Sequence, residues 1–194
     1  MARRTLNRME TSPLTAAAYA TPWGDLAVLA DAAGAVHAAG MGTVRAVAAQ
    51  RPVESAQRPW EPGEQPQIAD ALEQWLAGNP DAVTSIPVHL SGPDFLVEVW
   101  THLRDVPGGA VVSYGELAEM AGRPRASRAV GTACARNRVG IFVPCHRVVQ
   151  AGGRLGSYGF GGTRVKAQML RLEGVEVRGD DEGARLIEPA EFRA

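Results

Sequence analysis

The chain of 194 residues has only two cysteines, Cys134 and Cys145. Two thiols build neither a disulfide framework nor a cysteine-rich zinc site, so a reducing cytoplasm is the simplest setting. No apolar run approaches the ~20 residues that a membrane helix needs. The start, MARRTLNRMETSPLTAAAYA, is basic but has no continuous apolar segment, and it is read as carrying no export signal. Aromatics are sparse at 6%, and the net charge is only −1. The overall charge therefore gives no hint of a polyanion partner. Hydrophobic residues at 45% and charged residues at 21% are ordinary for a soluble globular chain.

A more local absence changes that picture. From Ala121 to Arg171 there is no Asp or Glu. The same window holds Arg123, Arg125, Arg128, Arg136, Arg138, Arg147, Arg154, Arg164, Lys166 and Arg171. A segregated basic segment is the footprint expected for nucleic acid, with a solvated face balanced by acids elsewhere as the alternative.

The pattern divides the chain into an N-terminal scaffold (1–90), a second domain (91–178) and an acidic tail (179–194), with a boundary near Ser91. Residues up to about Thr15 read as loose. AAAYAT, LAVLA and AVHAA, separated by PWGD and DAAG, predict a small antiparallel sheet. Gln50 to Gln67, rich in Pro, Glu and Gln, predicts a surface connection. Ile68, Leu72, Trp75 and Leu76 predict a helix to Ala77, stopped by GNPD. SIPVHL reads as a strand. SGPD opens another helix, through Arg104. His37, His89 and His102 have no evident partners and read as surface or structural histidines.

SYGELAEMAG predicts a short helix from Tyr114, capped by Ser113 and ended by Gly122. RASRAVGTACARN predicts a second, to about Arg136. Two short helices joined by a tight Gly-containing connector describe a helix-turn-helix. The fold class is therefore α/β (α+β): an antiparallel-sheet domain with a helix, then a mostly helical domain carrying the helix-turn-helix. Ala126, Ala129, Gly131, Ala133 and Ala135 make the second helix small-sided. Small residues let a backbone approach a surface closely, which suits the minor groove better than base reading in the major groove. The alternative is that the alanines are core.

IFVPCHRVV places Cys145 between Pro144 and His146. A free thiol has a pKa of ~8.5, so nucleophilic work needs a base or positive potential nearby. Neighbouring side chains on an extended chain point apart, so His146 would need a turn or a water, and Pro144 can shape the turn. Glu173 is the nearest later carboxylate that could orient the histidine. A buried inert cysteine is the competing reading. A metal pair of Cys145 and His146, with His102 or Cys134, matches no common zinc spacing. A cysteine protease or amidase leaves the basic window unexplained. Cys134 has no polar neighbour and reads as helix packing.

The stretches SYGELA, RAVG, Asn137, PCHRVV, Tyr158 with GFGG, and KAQMLRLEG together resemble the O6-alkylguanine-DNA alkyltransferases, from about Phe95 to Val175. ATPWGDLAVLA is compatible with that family's N-terminal strands. The resemblance implies a cofactor-free, metal-free, monomeric repair protein with duplex DNA containing alkylated guanine as its partner. The alkyl group of O6-alkylguanine, and of O4-alkylthymine, would pass irreversibly to Cys145 after base flipping. Arg128 would fill the vacated stack, and Tyr114 would press on the phosphate and assist the leaving guanine. His146 would take the thiol proton through water, with Glu173 holding the ring and Asn137 bracing the turn. Ser113, Ala126, Ala129, Arg123, Arg125 and Arg136 would meet DNA. Tyr158, Ser157, Gly159, Phe160, Pro144 and Val148 would surround the pocket. Three positions depart from the family pattern: Leu96 replaces Gln, Arg138 replaces Pro, and Phe160 lengthens the glycine loop. A non-enzymatic lesion-binding or regulatory module is the alternative function.

Overall fold

The computed structural model describes residues 12–187. The part of the acidic tail beyond 187 and the first eleven residues of the loose start lie outside that range. Three strands follow the alternating runs: β1 (Leu14–Thr21), β2 (Gly24–Ala30) and β3 (Val36–Met41). They pair antiparallel in sequence order. Gly24, at φ 118°, supplies the left-handed backbone that closes the first hairpin.

The sheet has a fourth member that the sequence reading missed. β4 (Trp60–Pro62) pairs parallel with β1, so the order is β3-β2-β1-β4 and the sheet is mixed rather than antiparallel. The segment predicted as a plain surface connection thus contains a strand, together with the short helix α2 (Val53–Ala56). Helix α1 (Val44–Ala48) precedes it, capped by Thr43, whose hydroxyl accepts from Ala46 N. SIPVHL is not a strand either. Val83–Ser85 forms a turn of 3₁₀ helix, and only Val88 bridges to Val36. Pro87, inside that run, has no N–H to give to a ladder.

α3 (Pro66–Leu76) starts on proline, which suits a first turn where the N–H has no intrahelical partner. It buries Ile68, Leu72 and Trp75 along one face, each burial contributing about 1.5–3 kcal/mol of gross stabilisation. α4 (Asp94–Asp105) buries Val99, Trp100 and Leu103. α5 (Tyr114–Met120) and α6 (Ser127–Ala135) follow, joined by residues 121–126. Trp100 Nε1 donates to Ala133 O at 2.9 Å and ties α4 to α6. α7 (Gly162–Leu172) closes the helical part. Two short pairs complete it: β5 (Val112–Ser113) with β6 (Val148–Val149), parallel, and β7 (Val177–Arg178) with β8 (Arg185–Leu186), antiparallel.

The largest core cluster joins Leu26, Val28 and Val36 of the sheet to Trp75, Val99, Leu117, Val130 and Val148. Edge strand β3 is covered by the chain after α6, where Ala39 N donates to Arg138 O at 2.7 Å. The sheet is therefore fixed against the segment that leads into Cys145.

Candidate active site and nucleic-acid interface

Pro144 turns the chain, and Cys145–Arg147 form one turn of 3₁₀ helix. The turn is approached through Ile141, fully buried at φ 74°. A β-branched residue in the left-handed region costs about 1–3 kcal/mol and persists only where packing dictates it. Asn137, at the end of α6, holds this approach. Its Oδ1 accepts from Val139 N, and its Nδ2 donates to Val143 O, both at 2.9 Å. The same Nδ2 lies 3.3 Å from Cys145 Sγ as a donor. Burial pushes the Cys145 thiol pKa up, and the Asn137 bond and the Lys166 charge pull against it. The resting group is the thiol, and it needs a base.

His146 is fully buried, and its hydrogen-bond partner among the described residues is Glu173 rather than the thiol. Its Nε2 lies 2.9 Å from Glu173 Oε1. That oxygen also accepts from Trp75 Nε1 and Arg147 Nη2 at 2.9 Å, while Oε2 accepts from Arg147 Nε at 2.9 Å. Burial alone would raise the Glu173 pKa. The charge and hydrogen bonds of His146 and Arg147 overcome it and hold the carboxyl well below its usual range. An ionised carboxylate only accepts, so the hydrogen bonds assign the proton to Nε2 and leave the lone pair on Nδ1. Nδ1 is buried with no hydrogen-bond partner among the described residues.

Two buried cations, one of them in this network, were counted with the basic face in the sequence reading. Arg147 is fully buried, donating also to Val106 O and Pro80 O. Lys166 is 1% exposed, and its Nζ donates to Val148 O and Leu155 O. Burial depresses the Lys166 pKa to about 8. Neither charge is available to an external partner. Trp75 was read only as a core residue. Its contact with Glu173 spans 98 positions, and no local signal could announce it.

A cavity of about 260 Å³ opens beside Cys145, lined by Tyr114, Gly131, Cys134, Ala135, Ser157, Tyr158 and Gly159. Burial, then the nearby Cys134 and Cys145 thiols, raises the Tyr114 pKa to about 12, so its hydroxyl keeps its proton. Tyr158 is buried, set edge-on to the His146 ring, with its hydroxyl 3.4 Å from Met169 Sδ. Cys134 does pack against the core, yet one side of it also lines the cavity. Burial pushes its thiol to about 12. Pro144 and Val148, which bound the turn on either side, are buried and do not line the cavity. Phe160 is also absent from its wall. The ring is turned onto Gly140, where a Cβ would collide with it.

The outer face is built by α5 and α6. Ser113 caps α5 reciprocally: its Oγ accepts from Glu116 N, and Glu116 Oε2 accepts from Ser113 N. On α6, Val130 and Ala133 are buried, Ala126, Ala129 and Gly131 are half-buried, and Arg128, Thr132, Ala135 and Arg136 are exposed. The alanines are thus divided between core and surface. Arg128 makes no side-chain bond among the described residues. Arg123 and Arg125 are exposed on the connector, with the Arg123 guanidinium 4.8 Å from the Phe95 ring centroid. No helix among the described residues is long and apolar enough to cross a membrane. His37 pairs with Asp31 at 3.1 Å and stacks on His89.

Comparison with known proteins gives a consistent answer. The profile of the 6-O-methylguanine DNA methyltransferase DNA binding domain matches residues 94–175. A methylated-DNA–protein-cysteine methyltransferase of Shigella flexneri is 44% identical over 107 residues, covering 55% of this chain and 62% of that protein. One from Mycobacterium tuberculosis is 43% identical over 115 residues, covering 58% of this chain and 67% of that protein. The crystal structure of Mycobacterium tuberculosis OGT in complex with DNA superposes with a TM-score of 0.67 at 32% identity, covering 82% of this chain and 92% of that one.

Proposed function

The chain belongs to the 6-O-methylguanine DNA methyltransferase family, and from that premise we propose that it repairs alkylated DNA by moving the alkyl group from guanine O6 to its own Cys145. The observation that carries the reading is the two contacts Asn137–Cys145 and His146–Glu173, on consecutive residues of one turn, with a cavity of about 260 Å³ beside the thiol. The exposed basic connector and the small-sided face of α6 would lie against duplex DNA as a helix-turn-helix, in the minor groove. Arg128, without a side-chain partner among the described residues, would occupy the stack that the extruded base leaves. Residues 91–178 would then be the DNA-binding and catalytic domain, and 1–90 its scaffold.

The proposed chemistry uses the chain's own groups. The Cys145 proton passes through a water to the lone pair on His146 Nδ1, and Glu173 balances the imidazolium. The thiolate attacks the alkyl carbon in line. A C–S bond forms, the C–O6 bond breaks, and the electron pair stays with guanine. Tyr114, held protonated by its surroundings, donates to the departing base. The product thioether is a poor leaving group, and no second group in the cavity is placed to remove it, since the Cys134 thiol is pushed up to about 12. The reaction is therefore single-turnover. Both cysteines are free, which suits a reducing cytoplasm.

Intact-mass measurement after incubation with duplex DNA containing O6-methylguanine tests this. A gain of one methylene located on Cys145 is expected. Tight binding with unchanged mass would instead make the chain a lesion-binding module.

A further inference from the structure

A second core cluster contains Leu155, Val177, Ala184 and Leu186, which belong to a small sheet of three segments. In that sheet β7 and β8 pair antiparallel, with Arg178 opposite Arg185. On the other side of β8, Arg154 bridges antiparallel to Arg185. Leu155 N donates to Ala184 O at 3.0 Å, and Leu186 N to Gly153 O at 2.9 Å. Those bonds flank Arg154 and Arg185, which are therefore a pair without mutual backbone bonds, the kind whose side chains stand closest. Gly153, Leu155, Val177, Ala184 and Leu186 are buried, while all three arginines are exposed. Arg154, Arg185 and Arg178 thus stand in one row on the solvent face, with about 5 Å between neighbouring strands.

Like charges directly opposite each other weaken a sheet. None of the three guanidiniums makes a side-chain hydrogen bond or ion pair among the described residues. Arg171 of α7 brings a fourth cation to β7, where it donates to Val177 O and Gly179 O. The acids of the β7–β8 turn are partly engaged: Asp180 lies 3.7 Å from Arg164, and Asp181 Oδ1 accepts from Gly183 N at 2.8 Å. Glu176 and Glu182 are left in the hairpin against the four arginines. The row also adjoins the proposed DNA face. Val149 of β6 is paired with Ser113, the cap of α5. The next residue, Gln150, opens the turn to Arg154, and its N–H donates to Arg154 O at 2.8 Å. Gly152 in that turn has φ 77°, and the space a Cβ would take there is open. A cavity of about 330 Å³ is lined by Gly152 and Gly153 together with Arg178 and Arg185.

We propose that Arg154, Arg185 and Arg178 form a second phosphate-binding patch, which grips the backbone of duplex DNA beyond the stretch that α5 and α6 cover. The inference rests on the DNA-binding part of the reading above. A guanidinium is always charged, and its fork matches phosphate oxygens. A continuous polyanion meets every member of the row at once, which a single small anion does not. The glycine turn before Arg154 lets a strand come close. Arg178 and Arg185 lie beyond residues 94–175 that the family profile matches, so the patch stands outside the shared DNA-binding domain.

The test measures binding of an undamaged duplex by fluorescence anisotropy over a series of salt concentrations. It compares wild type, a triple variant (Arg154→Gln, Arg178→Gln, Arg185→Gln) and Arg164→Gln, whose arginine already has an acidic partner. Labelling of Cys145 by free O6-benzylguanine base, followed by intact mass, reports the fold and the chemistry without DNA. Each neutralised phosphate contributes about −0.9 to the slope of log K against log[salt]. The triple variant's slope should therefore be shallower by about 2 to 3, with free-base labelling as in wild type. Arg164→Gln should keep the wild-type slope. An unchanged slope in the triple variant, or the same loss per arginine in Arg164→Gln, would overturn the patch, while intact free-base labelling leaves the alkyl-transfer reading standing. A wild type that neither binds duplex nor becomes labelled would overturn that reading, and the patch with it.

Discussion

Glu173 Oε1 receives three donors, from Trp75 of the sheet-bearing half and from His146 and Arg147 of the thiol's own turn. One buried carboxylate thus neutralises a fixed cation, orients a histidine and ties two distant parts of the chain together.

Replacing it should be costly. Glu173→Gln leaves the buried Arg147 with only the exposed Asp81, 3.8 Å away, as counter-charge, and breaking a buried pair costs about 3–5 kcal/mol. Chemical denaturation should show that loss, and Cys145 labelling should slow because the imidazolium is no longer stabilised.

Acid should act through the same residue. The Glu173 pKa lies below its ordinary 4.5 in the folded chain. Its contribution to stability is therefore fully present above pH 4.5 and is lost as pH falls toward the folded value. Unfolding free energy measured from pH 7 downward should decline through this window in wild type, and the decline should be shallower in Glu173→Gln.

Trp75→Phe keeps an aromatic ring and removes one donor to a charged acceptor, a bond worth about 1.5–3 kcal/mol. Denaturant midpoints should fall accordingly. The labelling rate should also fall, although Trp75 does not line the thiol cavity.

Asn137→Ala removes the donor to Cys145 and leaves Val139 N without its partner, at about 1–3 kcal/mol, while Val143 O keeps Cys145 N as its donor. The donor bond favours thiolate, so its loss should move the pH profile of iodoacetamide labelling at Cys145 upward. A profile that stays in place would remove Asn137 from thiol tuning.

Arg128→Ala should alter stability by no more than about 0.5 kcal/mol, since the side chain is exposed and unpaired among the described residues. Repair in duplex DNA should suffer more than reaction with free O6-alkylguanine base. Equal losses on both substrates would remove the stack-filling role.

The sequence discloses those features of the fold that are local. Ser113 and Glu116 stand at capping-box spacing, and α3, α4, α5 and α6 follow from helical periodicity with proline and glycine at their ends. The failures are long-range. β4 has three residues and exists because β1 offers an open edge, so its own composition reads as linker. Val88 lies among residues that look like a strand but finds one bridge only. At the site, PCHR makes the thiol visible. Arg147 and Lys166 look like further members of a basic face because burial of a cation depends on partners far away in sequence, here Glu173, Pro80 O, Val106 O and Leu155 O. The placement of Phe160 over Gly140 is of the same kind, since a missing side chain gives no sign of what will fill its space.

The Trp75 and Pro80 contacts bear on how this protein can be divided. A fragment beginning at Ser91 would retain Cys145, His146, Arg147 and Glu173, yet Arg147 would lose an acceptor and Glu173 a donor, and the cover over Ala39 and Trp75 would become bare apolar surface. The reactive half is thus not a portable cassette. Fusion or transplantation would have to carry the sheet and α3 along with it.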